Sequence, residues 1–98
     1  MSTSLASLQN NITKWADEVY PNRTVFGMLA KLVLEEIPEF LLDTKDEGEY
    51  ADIVIMILDI ASINGINVEE AVIKKMKINA NREWVINQET GMMKHTKG

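Results

Sequence analysis

Apolar residues recur along the chain at alternating steps of three and four, the spacing of one face of a helix. The first such stripe is Leu5, Leu8, Ile12, Trp15 and Val19. Pro21 predicts its end at Tyr20, because the ring disfavours helical geometry in the residue before it. Thr24 is placed to cap a second helical segment with the stripe Phe26, Leu29, Val33, Ile37, Phe40 and Leu41. The polar run 43–48 reads as a turn. The third segment, 49–64, holds the run IVIMILDI, whose β-branched residues would also suit a buried strand. Length decides for a helix, since about 16 residues without Gly or Pro exceed a usual strand. Gly65 then stands where helix C-termini favour glycine. A helix apolar nearly all round is expected to be central or to face another subunit. Asn67, with Glu70 three residues on, predicts the start of a fourth helix running through Val72 and Met76 towards Trp84.

Short connections predict antiparallel packing of successive helices. The expected fold is therefore all-α and four-helix bundle-like, one domain over residues 1–98. Its tail, polar and irregular, is expected from about residue 87. At 98 residues there is room for one core, and so small a chain leaves much of its surface uncovered. A homo-oligomer, a dimer or a tetramer built from dimers, is the expectation. With 46% hydrophobic and 26% charged residues the chain is globular rather than disordered.

The net charge of −5 argues against a nucleic-acid partner, because phosphate-tracking surfaces are basic. It fits a solvated surface or acidic residues gathered around a cation. The absence of cysteine excludes a disulfide framework, a zinc-thiolate site and a thiol nucleophile. The longest apolar run, 53–58, falls far short of the roughly 20 residues of a membrane span. No signal-like start precedes it, so no membrane partner and a cytoplasmic location are expected.

Two acidic stretches stand out: EEIPE at 35–39 and EYAD at 49–52. Residues three apart share a helix face, so Glu36 projects with Glu39, and Glu49 with Asp52. An antiparallel hairpin would bring the two pairs together across the turn. Four such carboxylates repel one another, and a hard divalent cation relieves that repulsion. The competing reading is an acidic face that binds a basic partner, making the chain a non-catalytic helical interaction module. Asp52 leads directly into the apolar helix, which is unusual for mere surface decoration. Asp59 continues roughly the same face, either orienting a ligand from behind or meeting a positive partner across an interface. A calcium loop starting at Asp43 fails, with Lys45 third and Val54 twelfth. With His95 as the sole histidine, a di-iron bundle built on Glu-x-x-His pairs fails too.

EExxE followed by ExxD, the lead-in ITKWADEVYPNRT, the hydrophobic run 53–65 and the later KMKINANREW together resemble the MazG-like all-α nucleotide pyrophosphohydrolases. The resemblance spans Ile12 to about Trp84. It implies hydrolysis of a nucleoside triphosphate to the monophosphate and pyrophosphate, with a purine deoxynucleotide as substrate. It also implies Mg2+, with Mn2+ able to substitute, held by Glu36, Glu39, Glu49 and Asp52. Glu35 would be an auxiliary carboxylate that helps orient the attacking water, beside Glu36. Lys75, Asn79 and Arg82 would meet the triphosphate; on a continuous helix they share a face, although a basic helix end answering the helix dipole reads the same way. Trp15 could stack on the base or simply pack in the core. Pro38 departs from the family, where a small residue such as glycine is more usual. Lacking an N–H, it is expected to kink the helix, re-aiming Glu39 or weakening the site.

Overall fold

The computed structural model describes residues 4–82, 84–86 and 90–95, with the backbone alone at 84–86 and 94–95. Helix α1 spans Leu5–Val19, its N-terminus closed by the Ser4 hydroxyl, which accepts from the Ser7 amide at 3.0 Å. It stops where Pro21 requires, with Tyr20 already out of helical geometry. The second segment begins with α2 (Val25–Lys31), capped by Thr24, whose Oγ1 accepts from the Gly27 amide. It ends with α3 (Ile37–Leu42).

Between α2 and α3 lies a π-turn, Leu32–Glu36, in which the Ile37 amide reaches back five residues to the Leu32 carbonyl. Pro38 supplies the reason. Its nitrogen has no hydrogen for the Leu34 carbonyl and its ring would strike that carbonyl, so the preceding turn widens by one residue. The expected disturbance is a bulge within one continuous helical run.

Asp46 caps α4 (Glu47–Ile63), Oδ1 accepting from the Gly48 amide at 2.8 Å. The helix thus starts two residues before Glu49 and keeps Glu49 in its first turn. Its end is a Schellman motif: the Gly65 amide bonds the Ser62 carbonyl and the Ile66 amide the Ala61 carbonyl. Gly65 takes the left-handed conformation, φ +72°, that this closure needs. Helix α5 (Val68–Ala80) comes next, capped by Asn67. It stops short of Trp84 because Asn81 folds back, its side-chain amide donating to the Lys77 carbonyl. Two short strands, β1 (Trp84–Ile86) and β2 (Met93–His95), then pair antiparallel, Val85 opposite Lys94. The stretch expected to be irregular therefore contains a strand.

Helix α4 is the hub, packing on α1, α2, the π-turn and α3. Helix α5 does not return along it. It leaves at a bend of 100° and packs on α1. That correction to the antiparallel expectation has a polar cause at Gln9, which is buried in α1. Its amide nitrogen donates to Ser62 Oγ and to the Ile66 carbonyl, and its oxygen accepts from the Val68 amide. Glu69 adds a second tie, accepting from the Leu5 amide at 2.9 Å. The start of α5 is thereby fastened to the start of α1.

Among the described residues the buried apolar set is small: Ala16, Leu32, Leu58 and Ile60. Much of the predicted stripe of α1 stays open, with Leu8, Trp15 and Val19 exposed. Phe26 and Leu42 are 85% and 88% exposed. The radius of gyration, 16.0 Å, exceeds the roughly 13 Å of a compact chain of this length. Among the described residues, no single helix is long and apolar enough to cross a membrane.

Replacing Gln9 by Leu leaves the Val68 amide and Ile66 carbonyl without their buried partner and is expected to cost about 1–3 kcal/mol. Urea unfolding measures the loss, and hydrogen exchange should show the first turn of α5 opening before α4.

Candidate active site

The widened turn ends at Glu36, and α4 opens opposite it with Glu49 and Asp52. One carboxylate oxygen from each of these three lies within 4.8 Å of the others. Glu36 is buried, Glu49 half-buried and Asp52 exposed, so the cluster runs from the core to the surface. Oε2 of Glu36 and Oε2 of Glu49 are both buried without a hydrogen-bond partner among the described residues. Glu39, on α3, is exposed and outside this trio, though its charge is felt at Glu49. Glu49 is held above its ordinary value by desolvation first, then by the charges of Glu39, Asp46, Asp52 and Glu36.

Buried, unpartnered carboxylate oxygens are costly unless a cation meets them. An all-oxygen donor set suits a hard divalent ion such as Mg2+ or Mn2+. The residues present therefore fit such an ion. Glu36 also has a partner on its other oxygen, Oε1, which accepts from Lys31 Nζ at 2.6 Å. Glu35 stands beside the trio, exposed and 3.5 Å from the same ammonium.

A cavity of about 650 Å³ opens from the cluster. Glu36, Asp52 and Lys31 line its acidic end; Ile12, Trp15, Met28 and Met56 supply an apolar wall. Trp15 is half exposed here, its ring edge-on to Tyr20 at 5.9 Å, rather than packed in the core. Asn22 also lines the cavity.

An ion pair also lines the cavity. Asp59 is 3% exposed, and its carboxylate takes two hydrogen bonds from the Arg23 guanidinium. Arg23 also reaches Asp17 at 2.9 Å and the Tyr20 carbonyl at 3.2 Å, so these contacts take four of its five N–H donors. The Asp59 hydrogen bond holds Arg23 firmly cationic, against the opposing effect of burial. The positive partner foreseen for Asp59 is thus a residue of its own chain, tying the α1–α2 connection to α4.

Lys75, Asn79 and Arg82 are not brought to this cavity. Lys75 and Asn79 lie on α5, which packs on α1, and none of the three lines the cavity. Arg82 falls beyond the end of α5, so the three do not share one continuous helical face. The side chain of Trp84 lies outside the described residues. Sequence reasoning missed Arg23 and Lys31. Lys31 had a signal, its i,i+4 spacing to Glu35, but that spacing reads as an ordinary surface pair. Arg23 had none, since its partner Asp59 is 36 residues away.

Comparison with known proteins supplies the family. The profile of the dATP/dGTP pyrophosphohydrolase family matches residues 8–98. A dATP/dGTP diphosphohydrolase of cyanophage S-2L is 38% identical over the whole chain, which covers 93% of that protein. One from Salmonella phage PMBT28 is 43% identical over 84 residues, 83% of this chain, which spans only 28% of that longer protein. The solved structure of the cyanophage S-2L MazG-like pyrophosphohydrolase, bound to dGDP and three catalytic Mn2+ ions per active site, superposes with a TM-score of 0.85. That match covers 99% of this chain and 96% of the other. With the acidic cluster on two successive helical segments and the match running almost end to end, the chain belongs to the dATP/dGTP pyrophosphohydrolase family and has its MazG-like all-α fold.

Proposed function

We propose that this chain hydrolyses dATP and dGTP to the monophosphate and pyrophosphate, with Mg2+ as its cation and Mn2+ able to replace it. The observation that carries the reading is the pair of buried, unpartnered oxygens of Glu36 and Glu49, gathered with Asp52 at one end of a cavity whose wall holds Trp15. The cyanophage relative, a pyrophosphohydrolase with a purine deoxynucleotide and Mn2+ in its active site, supports the same chemistry here.

Glu36, Glu49 and Asp52 would hold the cation, with Glu39 joining from α3. When bound, the cation lowers the pKa of a water and offsets charge developing on the phosphoryl oxygens. Glu35, beside Glu36 and exposed, would orient the attacking water. Trp15 would lie against the base, and the neighbouring methionines and Ile12 would exclude water from its other side. Asp59 would act from behind, holding Arg23 as a fixed wall.

Lys75, Asn79 and Arg82 would meet the triphosphate from a second copy of the chain. The thin buried core, the exposed Phe26 and Leu42 and the outward course of α5 support a homo-oligomer that covers these surfaces. The protein would work as a dimer or tetramer in the cytoplasm.

The test of the reaction is pyrophosphate release from a panel of deoxynucleotides and ribonucleotides, with Mg2+, with Mn2+ and with a chelator. Release from dATP and dGTP only with a cation is expected, and Glu36→Gln or Asp52→Asn should lower kcat/KM by about 100-fold or more. A folded protein that releases none would leave the acidic interaction module as the reading.

The raised Glu49 has a sign that can be measured. A carboxyl held above its ordinary value of 4.5 keeps its proton longer when folded, so stability falls as pH rises through that value towards the raised one. With a chelator present, Glu49→Gln should therefore melt higher than the parent at neutral pH. The advantage should vanish below the ordinary carboxylate range, as melting curves across pH would reveal. Sedimentation should in turn give two or four times the 11.1 kDa chain mass. A monomer at micromolar concentration would remove the second-copy arrangement.

A further inference from the structure

Lys31 lines the cavity but has no part in the proposed reaction. Its ammonium is 2.6 Å from Glu36 Oε1 and 3.5 Å from Glu35 Oε2. The shorter contact is the unusual one. In an ordinary α-helix a lysine meets the residue four along, and the residue five along lies about 140° round the axis. The π-turn changes this, because bonding from i to i+5 stacks Glu36 over Lys31. Pro38 therefore does more than bend the helix: through the widened turn it places an ammonium on the most buried carboxylate of the acidic cluster.

The two partners differ in what holds them. The Glu36 side chain is 10% exposed and that of Lys31 53% exposed. The carboxylate is fixed, while the ammonium sits on a flexible four-carbon stem open to water and to the cavity. A divalent cation among Glu36, Glu49 and Asp52 would draw on the same carboxylate and repel the ammonium. A polyphosphate entering the cavity offers Lys31 a replacement anion within reach of the wall it already shares with Asp52 and Arg23.

We infer that Lys31 is an exchangeable counter-ion: it pairs with Glu36 until the cation claims that carboxylate, then transfers to the substrate's phosphates. The inference rests on the proposed cation site. A cation arriving alone displaces the ammonium with nothing to receive it; one arriving with a polyphosphate brings the receiver. Cation and phosphate therefore bind with positive coupling, and Lys31 carries part of it.

Calorimetric titration of Mn2+ alone, and of pyrophosphate into the Mn2+-loaded protein, tests this on the full chain and on Lys31→Met. Without its competitor, the variant is expected to bind Mn2+ about threefold tighter, the scale of a half-exposed ion pair. It should bind pyrophosphate about tenfold more weakly, having lost a charge-assisted hydrogen bond. A residue that only stabilised the helix would not move the two affinities in opposite directions. Lys31→Arg, which keeps the charge, should track the parent in both, and an unchanged melting curve shows that each variant is folded. Mn2+ affinity that is unchanged or weaker in Lys31→Met, or pyrophosphate affinity that does not fall, overturns the exchange while leaving the cation site standing. A parent chain that binds no Mn2+ removes both.

Discussion

The nitrogen of Pro38 has no hydrogen, and the organisation of the acidic site depends on that absence. The turn ahead of it opens into a π-turn, Leu32–Glu36, before helical bonding resumes at Ile37. One extra residue in the turn shifts the phase of α2 against that of α3. Glu36 comes to face Glu49 and Asp52 of α4 and to stand over Lys31, while Glu39 stays exposed on α3. A proline that looks, by propensity alone, like damage to a helix is here the element that aims its key carboxylate.

The second constraint is the shortage of internal partners. Helix α4 carries apolar residues on every side, but its neighbours within the chain cover only part of it, and Leu58 and Ile60 are its buried apolar positions. What the core lacks in area is made up by polar ties with defined geometry: Gln9 across the α4–α5 turn, Glu69 at the start of α1 and the Arg23–Asp59 pair beside the cavity. These ties locate elements rather than bury surface. They explain how the cavity keeps its shape while so much apolar surface stays open, in keeping with the proposed assembly of copies.

The cavity joins two kinds of surface that rarely lie so close. One end gathers carboxylates, where desolvation and then neighbouring negative charge hold Glu49 above its usual value; the other is built of Trp15, Ile12 and methionine. A nucleotide with its cation has the same division, charge at the phosphates and an apolar ring face at the base. The Arg23–Asp59 pair lines the same cavity and ties the loop after Pro21 to α4.

Residue order alone determined much of this protein. Helix starts at the Thr24 and Asn67 caps and stops at Pro21 and Gly65 depend on interactions a few residues apart, which spacing reveals, and a short turn between EEIPE and EYAD was enough to pair them. What depended on contacts between distant segments was not legible. The course of α5 was decided by Gln9 meeting residues more than 50 positions away, and the partner of Asp59 by the loop after Pro21. The end of α5 at Ala80, which parts Arg82 from Lys75 and Asn79, is a local event that periodicity overran. Trp15 obeyed the apolar period of α1 and still faced the cavity, because period marks a helix face and only the packed neighbours decide whether that face is covered. Pro38 shows the division most clearly. Its missing hydrogen could be read from the sequence, but whether the helix would break, kink or widen was settled by the tertiary structure, where a widened turn lets Glu36 meet α4 and Lys31 together.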